Sequence, residues 1–139
     1  MSESESRAAS GSADPRPIAL IADDEAEVRG LVGEVLVDAG FEIVLARDGI
    51  ELVELAARHR PQLIVADVMM PSMDGYTAVA RLRGQAATAD TPVIMITGCA
   101  DPAYAELSAG MGAAAHLIKP FSPMRLRELA QDMVRKAHV

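Results

Sequence analysis

From Pro17 onward the chain alternates short apolar runs with longer stretches whose apolar residues recur at helical spacing, which predicts repeated β-α units on a parallel sheet. The first run, Ile18 to Ala22, reads as a strand, and the helix after it places Val28, Leu31, Val32, Val35 and Leu36 on one stripe before Gly40 ends it. A second strand, Glu42 to Ala46, leads through Asp48-Gly49 into a helix carrying Leu52, Val53, Leu55 and Ala56. That helix should stop near His59, because Arg60 precedes Pro61. Leu63 to Ala66 is a third strand, apolar on both faces as buried parallel strands are. Asp74-Gly75 opens a third helix with Val79 and Leu82 inward, and Gly84 closes it. Val93 to Ile96 is the fourth strand, Pro102 to Ala109 the fourth helix and Ala114 to Ile118 the fifth strand. The last helix starts with Ser122 as N-cap and Pro123 at its first position, with Leu126, Leu129, Ala130, Met133 and Val134 as its stripe.

Five β-α units in one chain of 139 residues define an α/β domain. Crossovers between parallel strands are right-handed and each helix must cover one side, so helices lie on both faces of an open sheet. Periodicity does not determine the strand order. Residues 1–16 are Ser, Glu, Ala and Gly with almost nothing to bury, and are expected to form a disordered tail ahead of a domain at 17–139.

Charge narrows the function. The net charge of −7, from 20 acidic against 13 basic residues, offers no footprint for direct nucleic-acid binding or for an anionic membrane. Cys99 is the only cysteine and no Cys/His spacing suits zinc, which fits a reducing cytoplasm. No signal peptide or membrane-length apolar run is present.

In open α/β sheets, ligands bind beyond the carboxyl ends of the strands. Here strand one ends in Asp23-Asp24, with Glu25 next, strand three in Asp67, strand four in Thr97 and strand five in Lys119. Singly, each has a plainer structural role: a capping loop for Asp23-Asp24, turns for Asp67, Asp74-Gly75 and Lys119-Pro120, and a helix cap for Thr97. Together they would bring carboxylates, a hydroxyl and an ammonium to one rim, residue types suited to Mg²⁺ and phosphate.

The segments IADDE, DVMMPSMDG, MITG and IKPF resemble the receiver domains of bacterial response regulators, from about Ile18 to the C-terminus. Spacing is similar too, with thirty positions from Asp67 to Thr97 and twenty-two from Thr97 to Lys119. The resemblance implies a flavodoxin-like, three-layer (βα)5 sandwich with strand order 2-1-3-4-5. It implies Asp67 as the nucleophile that takes a phosphoryl group from a phosphohistidine on a sensor histidine kinase or a histidine phosphotransfer protein. Mg²⁺ would be held by Asp24, Asp67 and the backbone carbonyl of Met69, with Asp23 positioning water around it. Without metal, the crowded carboxylates should repel, so that one titrates high.

The resemblance also implies a conformational switch. Lys119 would pair with one phosphoryl oxygen, Thr97 would turn its hydroxyl to another, and the residue three before the Lys would follow, changing the face of the fourth helix, fifth strand and fifth helix. That residue is usually Tyr or Phe and here is His116. It is expected to pack as a smaller planar group; the sharper expectation is that its charge state biases the switch. Lys119-Pro120 is expected to be cis, with Phe121 packed beneath. The two positions that set phosphoryl lifetime in the family are Met69 and Cys99, neither able to position water as a carboxylate or amide would.

Two other functions would leave different residues at these positions. A Mg²⁺ phosphohydrolase of the haloacid dehalogenase type usually carries a second Asp two positions after its nucleophile, where Met69 stands, and no cap insertion is present. A receiver-like module that never takes phosphate would be expected to lack one of the site residues. No effector domain is expected after the last helix, so output should be by protein contact through the last two β-α units. Ala103, Tyr104, Met111, Ala114, Arg125, Arg127 and Arg135 are candidates there, and homodimerisation on activation stays open.

Overall fold

The computed structural model describes residues 15–99 and 101–137. Its elements alternate without exception: β1 (Ile18–Ala22), α1 (Ala26–Asp38), β2 (Glu42–Ala46), α2 (Gly49–His59), β3 (Leu63–Asp67), α3 (Gly75–Arg83), β4 (Val93–Thr97), α4 (Pro102–Gly110), β5 (Ala115–Ile118) and α5 (Pro123–Ala137). The strands form one parallel sheet in the order β2-β1-β3-β4-β5. The chain leaves β1 for one edge and returns on its other side, so the crevice where crossovers diverge opens between β1 and β3. Residues 1–14 of the expected tail lie outside the described residues.

Side chains alternate across the sheet into two cores. Leu20, Ala22, Ile64, Ala66, Val93 and Met95 meet Leu52, Ala56, Ala78, Val79 and Leu82 from α2 and α3. Ala19, Ile21, Leu63, Val65, Ile94 and Ile96 meet Val32, Leu36, Leu126 and Ala130 from α1 and α5, with Phe121 packed on their margin. Burying both faces of the middle strands produces the unbroken apolar runs seen in the sequence.

The helix starts obey capping chemistry. Asp48 accepts from the Glu51 amide at 2.8 Å, Asp74 from Thr77 at 2.8 Å, Asp101 from Ala103 at 3.0 Å, and Ser122 from Arg125 at 3.3 Å. Arg60 ends α2 at φ 47°, its αR conformation disfavoured by Pro61. At the opposite end of the sheet from the strand termini, Arg83 Nη1 donates to the carbonyls of Thr88, Ala89 and Thr91, and Nη2 donates to that of Gly112. These bonds tie the entry to β4 to the turn before β5.

Two expectations need correction. Leu31 is 42% exposed and does not share the buried stripe of α1, which runs instead through Val32, Gly33 and Leu36. Gly33 faces β2 so closely that a Cβ there would lie 3.1 Å from Ile43 Cδ1, and this approach sets the rotation of the helix. On α5, Arg127 pairs with Asp38 of α1 and Arg135 with Asp132 at 2.6 Å, and both arginines keep exposed surface. β3 and β4 each run one residue further than their apolar runs, because Asp67 and Thr97 still pair with Ile96 and Ile118 in the ladder. The peptide between Lys119 and Pro120 is cis. Among the described residues no helix is long and apolar enough to cross a membrane.

Candidate functional site

β1 delivers Asp23 to the crevice, and β3 delivers Asp67 one strand away; both are at most 3% exposed. Each carboxylate is oriented by the backbone that follows it. Asp23 Oδ1 accepts from the Glu25 amide at 2.9 Å, and Asp67 Oδ1 accepts from the Met69 amide at 3.1 Å. Gly75 presses on the same turn: its amide donates to Val68 O at 2.8 Å, and a Cβ there would meet the Asp67 carbonyl oxygen. The turn after β3 is therefore backed by the start of α3.

Lys119 follows β5, and its amide donates to Thr97 O at 2.7 Å. Its Nζ crosses to the carboxylates, 2.8 Å from Glu25 Oε1, 3.1 Å from Asp67 Oδ2 and 3.3 Å from Asp23 Oδ2. Burial alone would lower the Lys119 pKa, but the hydrogen bonds to Glu25 and Asp67 and the charges of Asp23 and Asp67 raise it above its usual value. Thr97 is fully buried, and its Oγ1 accepts from the Cys99 amide at 3.2 Å. His116 is half-buried on the Met95 side of the sheet, with Nε2 enclosed and lacking a hydrogen-bond partner. Burial lowers its pKa.

Of the residues read from the strand ends, Asp23, Asp67 and Lys119 are in contact and Asp24 lies beside them, whereas Thr97 is fully buried and meets Lys119 through its backbone carbonyl. Asp24, Asp67, Met69 and Lys119 line an open cleft of about 330 Å³ together with Glu25 and Gly98. At its floor, ligand oxygens of buried Asp23, of Glu25 and of Asp67 lie within 4.8 Å of one another. Asp23 Oδ2 is buried and outside hydrogen-bonding geometry even to Lys119. A hard divalent cation fits this donor set, since three carboxylates cluster and one buried oxygen is still open.

One carboxylate does titrate high: Asp23 is pushed up to about 6. The main cause is burial rather than the expected repulsion, with the charge of Asp67 adding to it and the Glu25 amide and Lys119 opposing. Glu25 was not singled out in the sequence. Its only signal there is its place directly after Asp23-Asp24, and its reach to Lys119 spans ninety-four positions.

Comparisons with known proteins place the chain in a family and match its fold. A family model described as the response regulator receiver domain matches residues 19–131. The transcriptional regulatory protein PdtaR of Mycobacterium tuberculosis is 41% identical over 109 residues, covering 78% of this chain and 51% of that protein. A probable transcriptional regulator, ycf27 of Porphyridium aerugineum, is 34% identical over 117 residues, covering 84% and 48%. The chain spans about half the length of these curated relatives. Among solved structures, chemotaxis response regulator CheY4 of Vibrio cholerae superposes with TM-score 0.79 at 34% identity, covering 85% of this chain and 98% of that one. The receiver domain of a sensor histidine kinase from Pseudomonas aeruginosa PAO1, solved with a magnesium ion coordinated in its active-site cleft, reaches TM-score 0.80 at 28% identity, covering 86% and 98%.

Proposed function

The chain belongs to the response regulator receiver domain family, and from that premise we propose that residues 17–139 form a switch whose Asp67 accepts a phosphoryl group. The observation that carries this reading is the contact of Lys119 Nζ with Asp67 Oδ2 at 3.1 Å, inside an acidic cleft at the strand ends. An Asp67 carboxylate oxygen attacks the phosphorus of a phosphohistidine on a sensor histidine kinase or phosphotransfer protein. The P–N bond breaks, imidazole leaves, and an acyl phosphate remains on Asp67. The chain catalyses only its own phosphorylation and dephosphorylation.

Asp24, Asp67 and the Met69 carbonyl would hold Mg²⁺, with Asp23 positioning water beside it. The ion found in the Pseudomonas aeruginosa receiver cleft and the open Oδ2 of Asp23 support this assignment. When bound, Mg²⁺ offsets the negative charge of the phosphoryl oxygens. Lys119 carries the ammonium that meets one phosphoryl oxygen. Thr97 turns its hydroxyl from the Cys99 amide toward another, drawing the loop after β4 inward. His116, on the strand beside Met95, follows that movement and alters the face of α4, β5 and α5, where Leu107 is 49% and Ile118 42% exposed. A downstream protein reads that face, in the cytoplasm and without direct contact between this domain and nucleic acid.

Met69 and Cys99 flank the acceptor and the Thr. Both are exposed, and neither side chain fixes an attacking water, so the phosphoryl group persists. The reading is tested by incubating wild type and Asp67→Asn with phosphoramidate and Mg²⁺ and measuring intact mass. One added phosphoryl group on wild type alone supports it, and none on wild type refutes it.

A further inference from the structure

Glu25 occupies the N-cap position of α1, yet its side chain makes no cap hydrogen bond. Residues favoured there turn a side-chain oxygen onto the first-turn amides. The Glu25 carboxylate instead reaches across the cleft to Lys119 Nζ at 2.8 Å, the shortest of the three carboxylate contacts to that ammonium. An ammonium has three N–H donors. In the resting protein Glu25 and Asp67 each take one, and Asp23 lies close by.

The three carboxylates differ in one respect. The side chains of Asp23 and Asp67 are 3% and 4% exposed, whereas that of Glu25 is 61% exposed. Glu25 is therefore the partner that can leave for water without stranding a buried charge. We propose that Glu25 is a positioning residue that holds the Lys119 ammonium in the resting state and must release it before Lys119 can meet an incoming phosphoryl group. The proposal rests on the assignment of Asp67 as acceptor and adds a restraint on how readily that site is loaded. Because the Glu25 end is solvated, the restraint is modest, about two- to fivefold in rate.

Rates of phosphorylation by phosphoramidate at saturating Mg²⁺ are compared for wild type, Glu25→Gln, Lys119→Met and the double variant. Glu25→Gln is expected to react about two- to fivefold faster than wild type, and the double variant no faster than Lys119→Met. A gain that persists without Lys119 would show that Glu25 acts by charge alone and would overturn the assignment, as would an unchanged or slower rate for Glu25→Gln. If no protein in the set takes up phosphoryl, the acceptor assignment itself fails and takes this inference with it. A second readout needs no metal or donor: Glu25→Gln should lower the Tm of wild type by about 2 °C more than it lowers that of Lys119→Met. Equal losses in the two backgrounds would show that the contact is absent in solution and overturn the proposal.

Discussion

Gly75 lies against the backbone of Asp67 so closely that a Cβ built on it would sit 2.4 Å from the Asp67 carbonyl oxygen and 2.9 Å from Met95 Cε. The start of α3 and the end of β3 are packed backbone to backbone, which holds the turn carrying the Asp67 carboxylate. Gly75→Ala should therefore cost about 1–3 kcal/mol of unfolding free energy and slow phosphorylation. Gly30, inside α1, has nothing within 4 Å of its virtual Cβ. Gly30→Ala should gain up to about 1 kcal/mol from helix propensity and leave the rate unchanged. Urea unfolding of both variants checks the contrast.

Asp23 makes the metal-free protein pH-sensitive. Its pKa rises from 3.8 to about 6 on folding, so the folded state holds the proton more tightly than the unfolded chain. The resulting stabilisation is full below about pH 4, declines as pH rises to about 6 and is absent above, on the order of 2–3 kcal/mol in all. Unfolding curves in EDTA should show wild type losing stability relative to Asp23→Asn across that window. Parallel pH profiles for the two proteins would contradict the assignment.

His116 has the opposite sign. Burial lowers its pKa, so the unfolded chain takes the proton first and wild type loses stability as pH falls below 6.5 toward the folded value. His116→Phe should lack that loss. Thermal unfolding at pH 7.5 and pH 5 measures it. Equal pH dependence of partner binding in wild type and His116→Phe would show that the imidazole is packing alone.

With Asp67 as the proposed acceptor, the lifetime of a phosphoryl group there should follow from Met69 and Cys99. Wild type should keep it for minutes rather than seconds, and Met69→Asn, whose amide can hold a water molecule, should shorten that time severalfold. Decay of the acyl phosphate is read by intact mass after removal of the donor. Loss within seconds in wild type would contradict the role given to Met69 and Cys99.

The sheet, the helix starts and the meeting of Asp23, Asp67 and Lys119 were legible because each strand is an apolar run that stops at a polar residue. Charged and hydroxyl groups at strand ends stand out against such runs. The ends of β3 and β4 were missed by one residue for the same reason, since Asp67 and Thr97 are polar yet still belong to the ladder. Leu31 misled because the rotation of α1 is set by the approach of Gly33 to Ile43, a contact between elements that helical period does not contain. The pairing of Arg127 with Asp38 and of Glu25 with Lys119 is likewise tertiary, across eighty-nine and ninety-four positions. The cause of the high Asp23 pKa, burial before repulsion, depends on depth beneath the cleft rather than on the number of nearby carboxylates.

Asp67 itself should carry the phosphoryl group. Borohydride reduction of protein treated with phosphoramidate and Mg²⁺, followed by peptide mass mapping, converts an aspartyl phosphate to homoserine and so reports its position. Homoserine at position 67, with Asp23 and Asp24 intact, is the expected result. Reduction at another carboxylate, or at none while the intact protein still gains phosphoryl, would contradict it.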